Sequence, residues 1–291
     1  MSKEYYPFYF VSDLHGWETG YRKLFSAIKA DIPLVVFLGG DLLPSGSLHF
    51  TGNKFFANSF IDDFLAPELL KLKRELKTNF PQFFIILGND DARTEETVVL
   101  RHEQENIWKY MHNRKVAFMD YQIYGYACVP PTPFVLKDWE RYDISHFVDP
   151  GALAPEEGRL TSELSENEIH DHTIQNDLEN LSAGDALEKA VFLFHAPPYQ
   201  THLDRAALDN HFVEHAPLDV HVGSIAIKRF IQERQPLITL HGHVHESARL
   251  TGSWQEKIGR THAFSAAHDG PEMAVVCFDP ANPGKAIRRL L

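Results

Sequence analysis

The chain has 291 residues, of which 44% are hydrophobic and 23% charged, the composition of an ordinary globular protein. Its net charge of −12 disfavours non-specific binding to nucleic acid or to an anionic membrane, because both need a basic face. The two cysteines, Cys128 and Cys277, form no CxxC pair and are expected to be reduced. No signal peptide is recognised, and no apolar stretch approaches the ~20 residues of a membrane span, so a cytoplasmic protein is expected.

Short apolar runs predict the strands of the fold. Each run holds four or five residues, mostly Val, Ile, Phe and Leu, and lies close to Gly, Pro, Asp or His, which is typical of a buried strand. In chain order the runs are 8–12, 34–38, 83–87, 191–194 and 237–240. The tail adds two predicted strands, around 263–266 and around 273–278.

Helical patterns lie between these runs. Apolar residues recur with helical spacing over 21–28 and 60–76, and Pro67 is expected to split or begin the second helix. Ser224 is expected to cap a further helix that stops before Pro236. Strands that alternate with helices predict an α/β fold, with helices over a largely parallel sheet.

The segment 129–189 interrupts this alternation. Its first part is rich in proline and aromatic residues, and its second part is acidic and polar with a weak helical pattern. We therefore predict one domain, residues 1–291, with an insertion or lid-like region at about 129–189.

Residues of the metal-binding type follow each of the five runs. DLHG follows the first run, GGD the second, GNDD the third, a single histidine the fourth and HGHVH the last. Because ligands bind at the carboxyl ends of the strands in open α/β sheets, these residues are expected to lie together. Their carboxylate and imidazole groups, without a thiolate, suit Mn²⁺, Fe or Zn²⁺, and a carboxylate such as Asp41 can bridge two ions.

Each motif alone has an ordinary structural explanation. Asp-X-His, Gly-Asp and Gly-Asn are common in turns, and a single histidine is more often part of a hydrogen-bonded core. The ordered combination, with every motif at the end of a predicted strand, favours a metal site over these separate explanations.

The five motifs, from Asp13 to His245, resemble the five-block signature of the calcineurin-like metallophosphoesterases. The runs HAPPYQTHLD and QPLITLHGHVHES resemble the Icc-related predicted phosphoesterases within that superfamily. The resemblance implies a four-layer αββα sandwich with a dinuclear metal centre, in which a hydroxide that bridges the metals is the nucleophile. Two divalent cations are expected, Mn²⁺ first, with Fe, Zn²⁺ and Ni²⁺ as alternatives.

The resemblance also implies a role for each motif residue. Asp41 would be common to both ions and is a candidate catalytic residue, and Asn89 is also a candidate substrate ligand. The first ion would be bound by Asp13, His15, Asp41 and His245, and the second by Asp41, Asn89, His195 and His243.

Asp90 stands where the third block of the family usually has a histidine, which binds phosphate or protonates the leaving group. Three roles are open for Asp90: a protonated general acid, a group that orients a substrate hydroxyl or a cation, or a turn residue. Asp90 is therefore a candidate catalytic residue, and it is also the main departure from the family pattern.

Two more residues near the motifs have open roles. Arg93 is a candidate substrate ligand that could clamp phosphate, with a surface arginine at the start of a helix as the alternative. His241 precedes the two histidines of the last motif and is expected in the core or behind the ligands.

The motif set favours an enzyme that hydrolyses phosphodiester or phosphomonoester bonds in small substrates, nucleotides among them, with the diester preferred. A binding scaffold of the same fold without turnover is the alternative, and Asp90 is the residue that favours it. A nuclease is disfavoured because the chain is acidic and has no Lys/Arg cluster near the motifs. The expected partner is a small phosphorylated substrate and not a membrane, and a homodimer stays open.

Overall fold

The computed structural model describes residues 6–45, 59–163, 172–213 and 215–291. Its strands are, in chain order, β1 (Phe8–Val11), β2 (Val35–Gly39), β3 (Gln82–Ile86), β4 (Lys109–Tyr110), β5 (Arg114–Phe118), β6 (Tyr121–Tyr126), β7 (Ala190–Phe194), β8 (Phe212–Val213), β9 (Ala216–Pro217), β10 (Ile238–His241), β11 (Gln255–Ile258), β12 (Thr261–Ser265), β13 (Ala274–Phe278) and β14 (Ile287–Leu290). Its helices are α1 (Glu18–Asp31), α2 (Ala66–Leu76), α3 (Glu96–Glu103), α4 (Ile174–Leu181), α5 (Ile225–Arg234) and α6 (Ser247–Thr251). A π-helical turn precedes α2, and short 3-10 turns complete the helical elements; these turns are Ile61–Leu65, Lys77–Asn79, Arg93–Glu95, Pro155–Glu157 and Pro283–Lys285.

The strands form two six-stranded sheets and one short hairpin of β8 and β9. The first sheet has the order β14-β13-β1-β2-β3-β4, in which β1 to β4 are parallel and β13 runs antiparallel to β1. The second has the order β11-β12-β10-β7-β6-β5, in which β12, β10, β7 and β6 are parallel and the two edge strands are antiparallel. The five predicted runs become β1, β2, β3, β7 and β10, each within one residue of its predicted bounds.

Aromatic side chains fill the space between the two sheets. Phe118 of the second sheet lies with its ring centroid 6.4 Å from that of Phe8 and 5.6 Å from that of Phe84, both in the first sheet. Phe264 and Phe278 make a similar contact across the sheets at 5.6 Å. Aromatic pairs at such distances add to the energy of apolar burial, so this layer is the main core of the protein.

Helices cover the outer faces of the sheets, which confirms the expected αββα sandwich. Every residue of β1 and β2 is buried, so both faces of these strands are covered. On the second sheet, Phe230 of α5 packs against Phe192 of β7 with the ring centroids 5.0 Å apart. Beside the first sheet, Tyr21 of α1 contacts Phe64 in the turn before α2 at 5.8 Å. Among the described residues, no helix is long and apolar enough to cross a bilayer.

The apolar runs did not predict the strands at the sheet edges or the inner strand β6, which lies between β5 and β7. The patterns indicated one largely parallel sheet, whereas the structure has two sheets with antiparallel edge strands. Strands β5, β11 and β14 consist mostly of exposed and partly buried residues, because an edge strand packs on fewer neighbours. Such strands lack the continuous apolar run that marks a fully buried one.

The part of the segment 129–189 that the structure describes is bound to loops of both sheets. The indole Nε1–H of Trp139 donates to the carbonyl oxygen of Asp91, 2.9 Å away, in the loop after β3. The carboxylate of Asp143 accepts from the backbone N–H of Ile225 at the start of α5, and Ser224 caps the same helix as predicted. The interpretation of 129–189 as an insertion or lid stays a prediction.

His112 is a partly buried histidine beside this segment. Its ring lies 5.0 Å from that of Trp139, and its Nδ1 accepts a hydrogen bond from the backbone N–H of Ala127, 3.1 Å away. Burial, together with the charges of Arg93 and Arg141, lowers the pKa of His112 from 6.5 to about 3.

We predict that His112 makes the fold sensitive to acid. Between pH 6.5 and pH 3 the unfolded chain binds a proton that the folded His112 excludes, so the free energy of unfolding should fall as the pH falls. This one group contributes up to about 1.4 kcal/mol per pH unit. Urea unfolding in a chelating buffer measures this slope, and His112→Asn, which keeps an acceptor for Ala127, should show a shallower one. Equal slopes for the two proteins would contradict the prediction.

Candidate metal centre

All seven predicted metal ligands lie together at the carboxyl ends of β1, β2, β3, β7 and β10. The candidate ligand atoms of Asp13, His15 and His245 lie within 4.8 Å of one another, and the same is true of those of Asp41, His195 and His243. The amide oxygen of Asn89 adds to the second group, 3.0 Å from Nε2 of His195. We call these groups the first group, which is Asp13, His15 and His245, and the second group, which is Asp41, His195 and His243.

Asp41 lies between the two groups. Its Oδ2 is 3.2 Å from Nε2 of His195 and 3.9 Å from Nε2 of His15. The side chain is only 4% exposed, so its charge faces the other site residues rather than solvent. One carboxylate therefore contacts a histidine of each group, the position that a bridging ligand needs.

The candidate ligands have an unusual backbone conformation. Asp13, His15, Asp41 and His243 have φ values of 58°, 43°, 50° and 72°, in the left-handed region that costs non-glycine residues energy. Hydrogen bonds between loops hold part of this conformation, such as the one from the backbone N–H of His15 to the carbonyl oxygen of Asp41, 2.8 Å away. Strained residues of this kind cluster at functional sites, because the surrounding structure must enforce them.

Glycines allow the loops to approach the candidate ligands closely. A Cβ atom on Gly88 would lie 2.3 Å from Oδ1 of Asp41, and one on Gly40 would lie 2.6 Å from Nδ1 of His195. Gly40 also has a φ of +93°, which glycine adopts readily. Any larger residue at either position would displace the side chain of a candidate ligand.

Hydrogen bonds orient the histidines differently. Nδ1 of the fully buried His195 lies 2.8 Å from the carbonyl oxygen of Gly39 and therefore carries a proton, while Nε2, 3.2 Å from Oδ2 of Asp41, is the nitrogen that can bind a cation once it has lost its own proton. In His241, by contrast, both ring nitrogens have partners, the carbonyl oxygen of Ala196 and the hydroxyl of Thr239, each at 2.8 Å. His241 thus lies behind the ligands, as expected.

The charges of the site stabilise one another in the absence of a cation. Burial alone would raise the pKa values of Asp13 and Asp41, but the hydrogen bonds and charges of nearby histidines hold both below their usual range, that of Asp41 at about 2. Burial opposes the protonation of His15 and His195, yet the carboxylates around them raise both pKa values to about 9. Protons on these imidazoles balance the carboxylates, and a divalent cation can replace them.

The chemistry of these donors fits divalent cations. Two nearly buried carboxylates, four imidazoles and one amide oxygen converge, and no sulfur ligand is among them. In the part of the chain that the structure describes, no lysine or arginine forms an ion pair with Asp13 or Asp41. Buried carboxylates that lack such a partner favour a metal ion as the balancing charge.

Asp90 lies against the first group. Its Oδ2 is 3.2 Å from Nδ1 of His15, and its Oδ1 accepts a hydrogen bond from the hydroxyl of Ser45, 2.8 Å away. Its backbone N–H donates to Oδ1 of Asp41, also over 2.8 Å. The structure therefore brings this predicted site residue to the centre, where it contacts a candidate ligand through the side chain.

Arg93 is placed beside the segment 129–189. Its guanidinium carbon lies 4.9 Å from the ring centroid of Trp139, and its Nε lies 3.8 Å from a carboxylate oxygen of Glu96. The side chain is only 15% exposed. A role in binding phosphate stays a prediction, and it would require the guanidinium to leave these contacts.

Asp91 was not assigned a role from the sequence, although it organises the loops of the centre. Its buried carboxylate accepts hydrogen bonds from the backbone N–H groups of Leu42, Leu43 and Gly88, at 2.8 to 3.1 Å. Burial, and then the charge of Asp41, raise the pKa of Asp91 to about 7. Aspartate side chains commonly bind backbone N–H groups in turns, so the second aspartate of the GNDD motif carried part of this signal, although its bonds to Leu42 and Leu43 are not local.

We predict that His195→Ala loses one of two bound cations, because His195 belongs to the second group only. The metal content of purified protein after loading with Mn²⁺ and desalting measures this loss. His202→Ala is the matched control, since His202 is 58% exposed and pairs with Glu256. The same metal content in His195→Ala and in the control would remove His195 from the ligand set.

Comparisons with known proteins identify the family and the fold of the chain. The sequence profile of the calcineurin-like phosphoesterase family matches residues 6–247. The crystal structure of TT1561 of Thermus thermophilus is similar over 99% of this chain and 99% of its own, with 15% identity and a TM-score of 0.53. A dimetal phosphatase from Danio rerio is similar over 97% of this chain and 95% of its own, with 12% identity and a TM-score of 0.51.

At these identities the structural likeness shows the fold alone. No curated protein sequence matches the chain significantly. The family profile covers most of the chain, including every motif that follows a strand, so the protein belongs to the calcineurin-like phosphoesterase family.

Proposed function

We propose that this protein is a dinuclear-metal phosphoesterase that hydrolyses small phosphorylated substrates, with phosphodiesters preferred and nucleotides among the candidates. The observation that carries the proposal is the pair of ligand groups with Asp41 between them. The family is a class of metal-dependent phosphoesterases, so the broad activity follows from membership and the substrate class is the proposal.

The proposed ligands divide between two cations. The first group and Asp41 would hold one, and the second group with Asn89 would hold the other. When bound, such a pair supplies Lewis acidity, which makes water a better nucleophile and neutralises charge on phosphoryl oxygens. Mn²⁺ as the native metal, the cytoplasm as the compartment and a homodimer all stay predictions.

The exposure of the ligands indicates the side from which substrate enters. His15 and His245 are 32% and 35% exposed, whereas His195 is fully buried. The substrate would therefore approach over the first group. Asn89 would use its amide oxygen as a ligand and could direct its NH₂ group toward a phosphoryl oxygen, which is the substrate role predicted for it.

Charge favours a diester over a monoester. A phosphate monoester carries about −1.5 to −2 at neutral pH, whereas a diester carries a single negative charge. Asp90 stands at the position where members of the family usually have a histidine, and its carboxylate lies beside His15. A carboxylate at this position repels a monoester more strongly than a diester, because the monoester carries more negative charge. A diester with a good leaving group also depends least on a general acid, a role that stays a prediction for Asp90.

One observation favours a second function. A binding scaffold without turnover would tolerate the replacement of the family histidine by Asp90, because it needs no group to protonate a leaving group. The nearly complete ligand set opposes this alternative, because it is the set that metal-dependent turnover requires.

We predict that Mn²⁺-loaded protein hydrolyses bis-p-nitrophenyl phosphate faster than p-nitrophenyl phosphate. Asp41→Asn should lower diester turnover by about 100-fold or more, the effect of removing one charge-stabilising group from an active site. Glu188→Gln is the control, since it removes an equal charge before the amino end of β7, away from the centre. Release of p-nitrophenol measures both reactions.

The outcomes separate the candidates. Full turnover in Asp41→Asn would contradict its proposed role. Turnover of the monoester alone would contradict the diester preference. A protein that binds two cations and hydrolyses neither compound would favour the scaffold.

A further inference from the structure

The two nitrogens of His15 face different surroundings. Nε2 lies 3.3 Å from Nε2 of His245 and 3.9 Å from Oδ2 of Asp41, on the side of the proposed cations. Nδ1 points the other way, 3.2 Å from Oδ2 of Asp90. If Nε2 is the ligand atom, then Nδ1 carries the proton, and this N–H donates a hydrogen bond to the Asp90 carboxylate.

Asp90 is itself held in place. Its second oxygen accepts from the hydroxyl of Ser45, and its backbone N–H donates to Oδ1 of Asp41. A carboxylate that accepts hydrogen bonds at both oxygens presents a fixed acceptor to the imidazole of His15. The same residue therefore touches the first group through its side chain and the central carboxylate through its backbone.

His15 needs such a partner more than His195 does. His195 is fully buried, and the carbonyl oxygen of Gly39 holds its Nδ1. His15 is 32% exposed, so packing alone constrains its ring less than that of His195. The Asp90 carboxylate accepts from Nδ1 of His15 as the carbonyl oxygen of Gly39 accepts from Nδ1 of His195. The acceptor is charged in the first case and neutral in the second.

We propose that Asp90 is a positioning residue: it fixes the tautomer and orientation of His15, so that the first group is ready to bind its cation. A carboxylate behind a metal-binding histidine also raises the basicity of the imidazole, and loss of such a partner typically weakens metal affinity 10–100-fold. The replacement of a histidine by Asp90 would thus act on the metal centre rather than on the leaving group. This inference rests on the proposed function, because it assumes that His15 binds a cation.

The test is titration of metal-free protein with Mn²⁺ by calorimetry, which reads affinity and not turnover. Asp90→Ala should weaken one binding event by about 10–100-fold and leave the other unchanged. The weakened event should be the one that His15→Ala loses. Asp90→Asn keeps the shape and an acceptor oxygen but not the charge, so it should lower the Mn²⁺ affinity by an intermediate amount. This variant replaces Asp90→Ala in the test if the alanine variant does not fold. Glu188→Gln is the control of equal charge.

A second measurement reads the tautomer directly. In Zn²⁺-loaded protein, long-range ¹H–¹⁵N spectra distinguish a protonated Nδ1 from a protonated Nε2, and comparison with His15→Ala assigns the signal. Wild-type His15 should carry its proton on Nδ1, and Asp90→Ala should shift or broaden that signal while the signal of His195 stays in place.

The outcomes distinguish this inference from the proposed function. Two unchanged binding events in both Asp90 variants would overturn the positioning role alone. Equal weakening of both events would also overturn it, since that result indicates a general disturbance of the loop. A wild-type protein that binds fewer than two cations would contradict the proposed function and this inference together.

Discussion

Two buried carboxylates that face histidines across a gap between sheets are the constraint on which this structure depends. Asp13 and Asp41 follow strands of the first sheet, while His195 and His245 follow strands of the second. An isolated charge in such a place would be costly, so each carboxylate requires the opposite sheet to supply its partner. The contacts that form the centre therefore also fix the position of one sheet relative to the other.

The loops around the centre follow from that requirement. Ligand side chains must converge within a few ångströms, and the backbone meets this need with left-handed residues such as Asp13 and His15. Gly40 and Gly88 leave room where a Cβ would collide with a ligand. Asp91 then binds backbone N–H groups of the two loops that follow β2 and β3. Local strain is thus offset by hydrogen bonds within the same few loops.

The set of site residues and the central strands other than β6 were predictable because their signals are local. A buried parallel strand is a short apolar run, and its carboxyl end is marked by the donor residues that follow it. The grouping of ligands into two sets came from the family resemblance. The seven residues do lie together, and which cation each would bind stays a prediction.

Other features depend on contacts that no local pattern encodes. The contact of His15 with Asp90 joins residues 75 positions apart and depends on how the loops after β1 and β3 turn toward each other, so the sequence left three roles open for Asp90. The stacking of Arg93 on Trp139 likewise joins the loop after β3 to a distant segment. Edge strands such as β5 were not predicted because their residues are exposed or only partly buried and so form no continuous apolar run.

The most direct test of the central claim is a crystal structure of the Mn²⁺-loaded protein with anomalous scattering data. Two anomalous peaks are expected, about 3.5–4 Å apart, with Asp41 between them. One should lie within bonding distance of the first group and the other within bonding distance of the second group and Asn89. A single peak, or peaks away from these residues, would contradict a dinuclear centre built by this chain.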